Sequence, residues 1–166
     1  MAVRRVLGLG ELDRGRPAAP LERIDDAARA LAEDLIDTMR AAPACVGLAA
    51  PQIGVALRAF ALDVSGHKKA VTVHGELVVF NPVLVAAHDV VVAREGCMSV
   101  PDLTGDVARA TRLVMRGVGV NGEAIELRTD AFEARAVQHE IDHLDGLVFL
   151  DRLAGPGALH ARRVYR

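Results

Sequence analysis

The sequence predicts an α+β protein in which two helices flank a mostly antiparallel set of strands. Apolar residues recur at steps of three and four before residue 40 and again after residue 130, which is the spacing of amphipathic helices. Between residues 57 and 130 they occur in short runs that Gly, Asn, Asp and Pro interrupt, which is typical of strands and turns. A helix, then strands, then a second helix differs from alternating βαβ units, so the α+β class is favoured.

The first predicted helix follows a polar loop at residues 10–20, where Gly and Pro interrupt the chain. Its apolar residues fall on one helix face: Ile24, Ala28, Leu31, Leu35 and Met39. Its charged residues fall on the opposite face: Asp25, Arg29, Glu33 and Asp37. Pro43 ends the pattern, because proline lacks the backbone N–H that a helix interior needs.

The predicted strands are short apolar runs separated by turn residues. They span residues 60–64, 76–80, 83–87, 90–93, 112–120 and 124–127. Asn121-Gly122 stands between the last two runs, and this pair is a strong signal for a hairpin turn. The last two strands are therefore expected to pair antiparallel.

The second predicted helix has signals at both ends. Thr129 or Asp130 can cap its start, and Glu133 lies three residues beyond Asp130, close to a capping-box arrangement. Gly146 fits the position just past its end, where a left-handed backbone is common. Its apolar stripe consists of Val137, Ile141 and Leu144.

Length and composition indicate one globular domain, residues 1–166. Hydrophobic residues make up 51% and charged residues 25%, which excludes a disordered chain. The net charge of −2 argues against nucleic-acid binding through a general basic field, so no direct specific nucleic-acid partner is expected. The basic residues 161–166 are expected to be a solvated tail, or else a contact with an acidic partner such as ribosomal RNA.

Two cysteines, Cys45 and Cys97, are too few for a disulfide framework, so a reducing compartment is the default. The residues after Met1 lack the apolar core of a signal peptide, because Glu11 and Asp13 come early. No stretch approaches the ~18–20 apolar residues that a membrane helix needs. The sequence therefore predicts a cytoplasmic protein with no membrane partner.

His139, Glu140 and His143 give the second helix its chemistry. Two histidines four residues apart project from the same helix face, so both rings can reach one metal ion. Glu140, next to the first histidine, would then contact a water on the metal and act as general base and acid. The alternative is that two surface histidines share this spacing by chance, but the independently predicted helix favours a metal site.

This motif does not identify the third ligand. Downstream of the motif the chain offers His160 but no Glu, so an upstream ligand is favoured over the arrangement of a zincin-type endopeptidase. Cys97 is the natural candidate, because it follows Gly96 near the end of a predicted strand. A lone cysteine is more often a small buried apolar residue than a ligand, so both interpretations stay open at this point.

Three segments resemble motifs of the peptide deformylase family, in the family's order and with its spacing. Residues 45–54, CVGLAAPQIG, are similar to GxGLAAPQ, and residues 95–99, EGCMS, are similar to EGCLS. Residues 138–144, QHEIDHL, are similar to QHExDHL. The likeness extends from the first helix through residues 149–153. Three motifs in order are much more specific than any one of them.

The resemblance implies a peptide-deformylase-like fold, with antiparallel sheets packed around a central HExxH helix. It implies that the metal ligands are Cys97, His139 and His143. Glu140 would be the general base and acid, while Gln52 would donate its side-chain amide, and Met98 its backbone N–H, to the oxyanion. The expected metal is Fe²⁺, with Zn²⁺, Ni²⁺ or Co²⁺ able to occupy the site.

The resemblance also implies a peptide cleft. Gly47 would expose backbone that pairs with an extended peptide in the manner of an added strand. Glu95 is expected to form an ion pair with Arg109 rather than to be a surface carboxylate. Four residues would line the pocket for a methionine side chain, or else be plain core: Val46, Leu48, Phe132 and Ala136.

Some positions depart from the family's pattern. Cys45 replaces a glycine, and Met98 replaces a leucine of similar volume. Asp102 and Thr104 stand where Gly and Tyr are common, just past Cys97. These changes concern the entrance of the cleft, so they bear on substrate preference rather than on the metal site.

By this resemblance the expected activity is hydrolytic removal of the N-formyl group from the initiator methionine of new polypeptides, with release of formate. The expected partners are N-formyl-Met nascent peptides and, transiently, the ribosome. The alternative is a divergent paralogue that hydrolyses another formamide or small amide, since the cleft entrance is altered. A non-catalytic module that binds nascent chains is disfavoured, because Glu140 is present.

Overall fold

Two helices flank a set of antiparallel strands in the computed structural model, which describes residues 2–162. The helices are α1, Asp26–Ala41, and α2, Ala131–Leu144. The strands are β1, Gly47–Ala49; β2, Ala59–Leu62; β3, Leu77–Cys97; β4, Val100–Val118; β5, Ala124–Asp130; and β6, Leu159–Ala161. Short 3₁₀ turns lie at Leu9–Glu11, Ala50–Ile53 and Phe149–Arg152. The predicted α+β class is confirmed.

The six strands form one connected antiparallel sheet. Strands β1 to β5 are neighbours in chain order, and β6 pairs with the first part of β4. Helix α2 packs against β4, β1, β2 and β5, whereas α1 contacts β1 and β2. The expected antiparallel packing around α2 is therefore present, but a single sheet provides it rather than several.

Strands β3 and β4 are much longer than the sequence predicted. β3 joins the three runs predicted between residues 76 and 93, and β4 begins well before residue 112. Two polar residues between the predicted runs, Asn81 and Asp89, lie within this one strand. They adopt left-handed backbone with φ of 50° and 61°. Asn and Asp tolerate this conformation, so these turn signals do not end the strand.

Two turns predicted from glycine are confirmed. At Asn121-Gly122 the chain reverses between β4 and β5, with the N–H of Gly122 donating to the carbonyl of Gly119 at 3.0 Å. Gly122 has a φ of 78°, as such a turn requires. Gly146 has a φ of 79° and follows Asp145, the C-cap residue of α2.

Helix α1 begins one residue after its capping side chain. The carboxylate of Asp25 accepts a hydrogen bond from the N–H of Ala28 at 3.0 Å, which satisfies one donor of the first turn. The predicted apolar face is buried at Ala28, Leu31 and Leu35. Neither described helix is long and apolar enough to cross a bilayer.

The capping box predicted for α2 is wrong, although the helix starts where the sequence placed it. Asp130 is the cap residue, but its carboxylate accepts from the backbone N–H of Thr72 rather than from the helix. Glu133 does not reach back to the cap. Its fully buried carboxylate accepts from the Thr129 hydroxyl at 2.7 Å and from the backbone N–H of His74 at 2.9 Å. The Thr129 hydroxyl and the backbone N–H groups of Thr72 and His74 therefore take the place of the predicted capping box.

The hydrophobic core lies on both faces of β1 and β2. Leu48 is fully buried in the part of the core that faces α1. Ala49 and Phe60 belong to the part that faces α2, together with Val137. Successive residues of a strand point to opposite faces, so β1 separates the two helices.

The basic segment predicted as a solvated tail lies partly outside the described residues. Ala161 is the last residue of β6, and the N–H of Arg162 donates to the carbonyl of Asp102 at 2.9 Å. The described part of this segment is therefore held against β4 rather than solvated. Residues 163–166 lie outside the described part of the chain.

Candidate functional site

The two histidines of α2 meet at one face of the helix, as their spacing predicts. Their Nε2 atoms are 3.2 Å apart, and the rings pack edge to face. His143 is buried and His139 is half-buried. Both nitrogens therefore point to one small volume beside the helix.

Cys97, the last residue of β3, completes this group. Its Sγ lies 3.3 Å from Nε2 of His143, and one ligand atom from each of the three residues lies within 4.8 Å of the others. Tetrahedral bonds of about 2.1 Å to nitrogen and 2.3 Å to sulfur place such atoms roughly 3.4–3.6 Å apart. The observed spacing fits a bound transition metal. Three protein ligands leave a coordination position open, as catalytic sites do.

An ion-pair network orients the first histidine from behind. Nδ1 of His139 lies 3.1 Å from Oε2 of Glu95, which also pairs with Arg109 at 2.8 Å. Arg109 in turn pairs with Asp142 at 2.5 Å, and Arg152 pairs with the same carboxylate. A carboxylate on the second ring nitrogen fixes the ring and leaves Nε2 for a metal. The expected Glu95–Arg109 ion pair is confirmed.

The pKa values of this network reflect burial and charge together. Burial acts to raise the pKa of Glu95, but His139 and Arg109 outweigh it and lower the value to about 2. Burial also acts to lower the pKa of His139, yet Cys97 and Glu95 hold it well above its usual range. Burial and the charge of His139 place the pKa of His143 well below that range. Metal binding at these side chains would therefore displace protons.

Glu140 lies beside the group with one oxygen available. The side chain is only 3% exposed, and its Oε1 has no hydrogen-bond partner among the described residues. Burial raises its pKa to about 7, while the charge of His139 opposes the shift. A buried carboxyl group with such a pKa matches a group that accepts and donates protons near neutral pH.

Gly47 is required by the position of Glu140. A Cβ atom at residue 47 would lie 2.5 Å from Oε2 of Glu140 and 3.0 Å from its carboxyl carbon. Real Cβ atoms do not approach that closely, so only glycine allows β1 to pass next to the carboxylate. Gly47, from the first sequence motif, and Glu140, from the third, are thus in direct contact.

The side-chain amide of Gln52 makes separate contacts through its oxygen and its nitrogen. Its Oε1 accepts from the N–H of Ala49 at 3.0 Å, which holds the 3₁₀ turn that contains it. Its Nε2 lies 3.1 Å from Oγ of Ser99 and 3.6 Å from Sγ of Cys97. The amide oxygen therefore holds the turn, while the amide nitrogen is left for other partners. The bond to the oxygen fixes the amide so that its nitrogen points at Cys97 and Ser99.

Met98 lies in the tight turn that joins β3 to β4, directly after Cys97. Cys97 and Val100 are paired across this turn, so the backbone of Met98 is next to the site. Among the residues expected to line a pocket, Val46, Phe132 and Ala136 belong to the part of the core that faces α2. Leu48 faces α1 instead, so any contact that it makes with a ligand would be through its backbone.

Sequence reasoning missed three residues that the structure brings to the site. Ser99 and Asp142 were quoted only as letters of the motifs, yet they bind Gln52 and Arg109 respectively. His67 stacks on Phe132 with 3.7 Å between ring centroids. Nothing in the sequence pairs these residues, because each contact joins segments that are distant along the chain. His160, considered as a downstream ligand, instead binds Asp106 at 2.8 Å.

The chain is similar to known proteins along most of its length. Residues 6–158 match the family Polypeptide deformylase. The peptide deformylase of Acidothermus cellulolyticus is 46% identical over 153 residues, which cover 92% of this chain and 80% of that protein. That of Syntrophobacter fumaroxidans is 40% identical over 136 residues, covering 82% of this chain and 78% of that protein.

Solved structures are also similar over most of the chain. Peptide deformylase from Thermotoga maritima superposes with a TM-score of 0.84 at 31% identity, covering 93% of this chain and 100% of that one. The enzyme from Ehrlichia chaffeensis in complex with actinonin has a TM-score of 0.86 at 31% identity, covering 93% and 90%. The chain therefore belongs to the polypeptide deformylase family, metal-dependent hydrolases that remove the N-formyl group from newly made polypeptides.

Proposed function

We propose that this chain binds a metal at Cys97, His139 and His143 and uses it to deformylate the initiator methionine of new polypeptides. The observation that carries the proposal is one juxtaposition. A buried carboxylate, Glu140, and a fixed amide donor, Gln52, both adjoin the three metal-binding side chains. Such a group supplies each element that amide hydrolysis needs.

The three side chains would hold the metal, with Glu95 orienting His139 through its second ring nitrogen. A divalent metal held there would supply a Lewis acid and would lower the pKa of a water molecule to about 7. The sulfur and imidazole donors suit iron, zinc, nickel or cobalt. We propose Fe²⁺ as the resident metal, and metal analysis of protein purified without oxygen tests this choice.

Glu140 moves the protons of the reaction. Its carboxylate accepts a proton from the attacking water and then delivers it to the departing amine. The amide Nε2 of Gln52 and the backbone N–H of Met98 donate to the formyl oxygen as negative charge develops there. Such donors typically contribute about 3–4 kcal/mol each when they are fixed in advance. The bond from Ala49 to Oε1 of Gln52 provides that fixing.

The peptide would bind as an extra strand. β1 pairs with β2 along one edge, and the peptide would pair with its other edge. There Gly47 would offer its backbone groups beside Glu140. Val46, Phe132 and Ala136 lie on the α2 side of the core and would receive the methionine side chain. The backbone of Leu48 would extend the same edge. A peptide bound in this way would have its formyl group next to Gln52 and Glu140.

We further infer that residues 1–166 form a single catalytic domain that acts in the cytoplasm on nascent chains. All six described strands share one sheet, and both described helices pack on it. The substrate exists only while chains are being made, so a transient contact with the ribosome accompanies the proposal. Co-sedimentation with ribosomes in low salt tests that contact.

The activity is tested by formate release from formyl-Met peptides under anaerobic conditions. Protein reloaded with Fe²⁺ or Ni²⁺ is expected to turn over formyl-Met-Ala, and chelation is expected to abolish the turnover. Other formylated amines, such as formyl-lysine, serve as comparison substrates. Absence of formate with either metal would refute the proposal, and a preference for another formylated amine would favour a divergent paralogue.

A further inference from the structure

The two histidines of the metal-binding group differ at their second ring nitrogens. Nδ1 of His139 lies 3.1 Å from the carboxylate of Glu95. His143 is only 4% exposed, and its Nε2 points to Cys97 and His139, but its Nδ1 has no hydrogen-bond partner within residues 2–162. A metal-binding histidine ordinarily donates this second N–H to a carboxylate, a carbonyl group or water. His139 therefore has a carboxylate partner from the protein, whereas His143 has none among the described residues.

A cavity of about 270 Å³ lies behind the ring of His143. His143 lines this cavity, whereas Cys97, His139 and Glu140 are outside its lining, so it is separate from the cleft in front of the ring. Because Nε2 points to Cys97 and His139, the opposite edge of the ring, which carries Nδ1, borders the cavity. A cavity of roughly 150 Å³ holds benzene, so this one is large enough for a small organic molecule.

The N-terminal loop forms the outer wall of the cavity and is fixed to the end of α2. The N–H of Gly15 donates to the carbonyl of Gly146 at 2.8 Å, and the N–H of Ala18 donates to the carbonyl of Leu144 at 2.7 Å. A Cβ atom at residue 146 would lie 2.6 Å from the backbone nitrogen of Arg16, so the loop passes directly against this glycine. The wall is therefore part of the folded chain.

The cavity has apolar walls and a mouth whose charges are paired. Arg14 and Asp151 form an ion pair at 2.8 Å, and Arg16 lies 3.8 Å from Asp13. The mouth therefore neither repels an anion nor supplies the group that binds it. The features that would select a ligand are the N–H of the His143 ring and the apolar walls. The walls include Ala18, Pro51, Leu147 and Val148.

We propose that this cavity is a second binding site, which takes a small carboxylate with an apolar body. The carboxylate accepts a hydrogen bond from Nδ1–H of His143, and the apolar body is buried against the walls. The inference rests on the proposed metal binding, because a metal on Nε2 keeps the ring proton on Nδ1. The ligand gives His143 the partner that Glu95 gives His139. Such a partner makes the ring a stronger metal ligand, and by reciprocity the metal strengthens carboxylate binding by the same factor.

Benzoate is the probe, and benzamide is its uncharged counterpart of nearly the same shape. NMR titration of zinc-loaded protein measures the binding, since Zn²⁺ is diamagnetic. Benzoate is expected to bind with a dissociation constant on the order of 1 mM, about tenfold more tightly than benzamide. The Nδ1 proton of His143 is expected to move downfield. The ring protons of benzoate are expected to show NOE contacts to the methyl groups of Ala18 and Val148.

The link to the metal is measured through zinc affinity, by competition with a chromogenic chelator. Saturating benzoate is expected to raise the affinity about tenfold, and benzamide less than about twofold. Metal-free protein is expected to bind benzoate about tenfold more weakly than zinc-loaded protein, because the coupling is reciprocal. Zinc affinity that stays constant while benzoate occupies the cavity would overturn the inference.

A56W separates binding in the cavity from binding to the metal itself. Ala56 is exposed and lines the cavity, so an indole at this position covers its mouth. A87W is the control, because Ala87 is exposed on β3 and lies outside the lining. A56W is expected to lose benzoate binding and to retain zinc affinity, while A87W keeps both.

Two results would overturn the inference: benzoate binding by A56W as tight as by wild type, or NOE contacts of benzoate to Phe132 in place of Val148. Either result would mean that benzoate occupies the front cleft. Thermal unfolding checks that both variants are folded, and the NOE contacts of the wild-type protein test the site without any substitution. Protein that binds no zinc would instead refute the proposed metal site.

Discussion

Residue 47 is glycine because a neighbouring side chain leaves no space for a Cβ atom, and not because the backbone turns there. The space for a Cβ at this residue is filled by the carboxylate of Glu140. The backbone of β1 can therefore approach this carboxylate closely, as the proposed mechanism requires if a peptide is to be held beside it. The same closeness makes this position sensitive to one added methyl group.

Gly47→Ala is expected to lower kcat/KM for formyl-Met peptides by at least about a hundredfold, because displacement of a reacting group by about 1 Å has that effect. Gly10→Ala is the matched control, since a Cβ there meets nothing within 4 Å. Thermal unfolding of both variants checks that the fold is kept. Near-normal turnover by a folded Gly47→Ala variant would show that Glu140 does not act from the position described.

Cys45, which replaces the family's glycine, is a packed thiol in the structure. Its Sγ lies 3.2 Å from the carbonyl oxygen of Gly47, to which it donates. Burial, followed by the negative charge of Glu140, raises its pKa to about 12. The thiolate is the reactive form, so a raised pKa makes the group inert at neutral pH. Cys45 is therefore a packed thiol rather than a reactive group beside the cleft.

Alkylation of Cys45 by iodoacetamide is expected to be slow at pH 7 and to accelerate about tenfold for each pH unit up to pH 10, without a plateau. The direction follows because a raised pKa leaves only a small thiolate fraction, which grows with pH. Mass spectrometry of the peptide that contains Cys45 measures the rate, and Cys45→Ser provides the blank. A plateau near pH 8–9 would contradict the burial argument.

The helices were predictable from sequence because their periodicity is local. The apolar face of α1 and the end of α2 at Gly146 depend on residues within a few positions of one another. The length of β3 was not predictable, because Asn and Asp commonly mark the ends of strands, whereas Asn81 and Asp89 adopt left-handed backbone within one continuous strand. The bond between His74 and Glu133 was missed because His74 belongs to a loop that is distant in sequence.

Helix α2 is joined to the β3–β4 hairpin by the network that runs from His139 through Glu95 and Arg109 to Asp142. The network fixes the ring of His139 on the helix by the carboxylate of Glu95 from the hairpin. It is buried, so each charge relies on its partner. The helix and the hairpin are thereby held at one relative position.

Glu95→Gln is expected to lower metal affinity by about 10-fold to 100-fold, because the second nitrogen of His139 loses its carboxylate. Glu126→Gln is the control, since Glu126 forms an exposed ion pair with Arg116, and such pairs contribute little. Competition with a chromogenic chelator measures the affinity of each variant. Equal affinity for wild type and Glu95→Gln would exclude an orienting function for Glu95.

Across the whole molecule, the site is assembled from chain segments that are far apart in sequence. The sequence motifs named three residues that the structure brings together, and the resemblance implied Cys97 as the third of them. Local pattern alone left that choice open, because the pairing of β3 with β4 and the packing of α2 bring Cys97 to His143. The position of Arg162 had no sequence signal, since it depends on the pairing of β6.

Because the ligands come together only in the folded chain, metal removal is expected to lower the melting temperature. A metal present at a thousand times its dissociation constant stabilises the fold by about 4 kcal/mol, which corresponds to roughly 10 °C for a chain of this size. Differential scanning calorimetry with and without a chelator measures the shift. His139→Ala is expected to show almost none, and an equal shift in both proteins would place the metal elsewhere.

The most direct test combines turnover and metal content in a Glu140→Gln variant. Formate release from a formyl-Met peptide and bound metal are measured side by side, without oxygen, for wild-type and variant protein. The variant is expected to hold as much metal as wild type while its turnover falls at least about a hundredfold, since proton transfer by Glu140 is lost. A Glu140→Gln variant that keeps its metal and deformylates within a few-fold of wild type would contradict the mechanism.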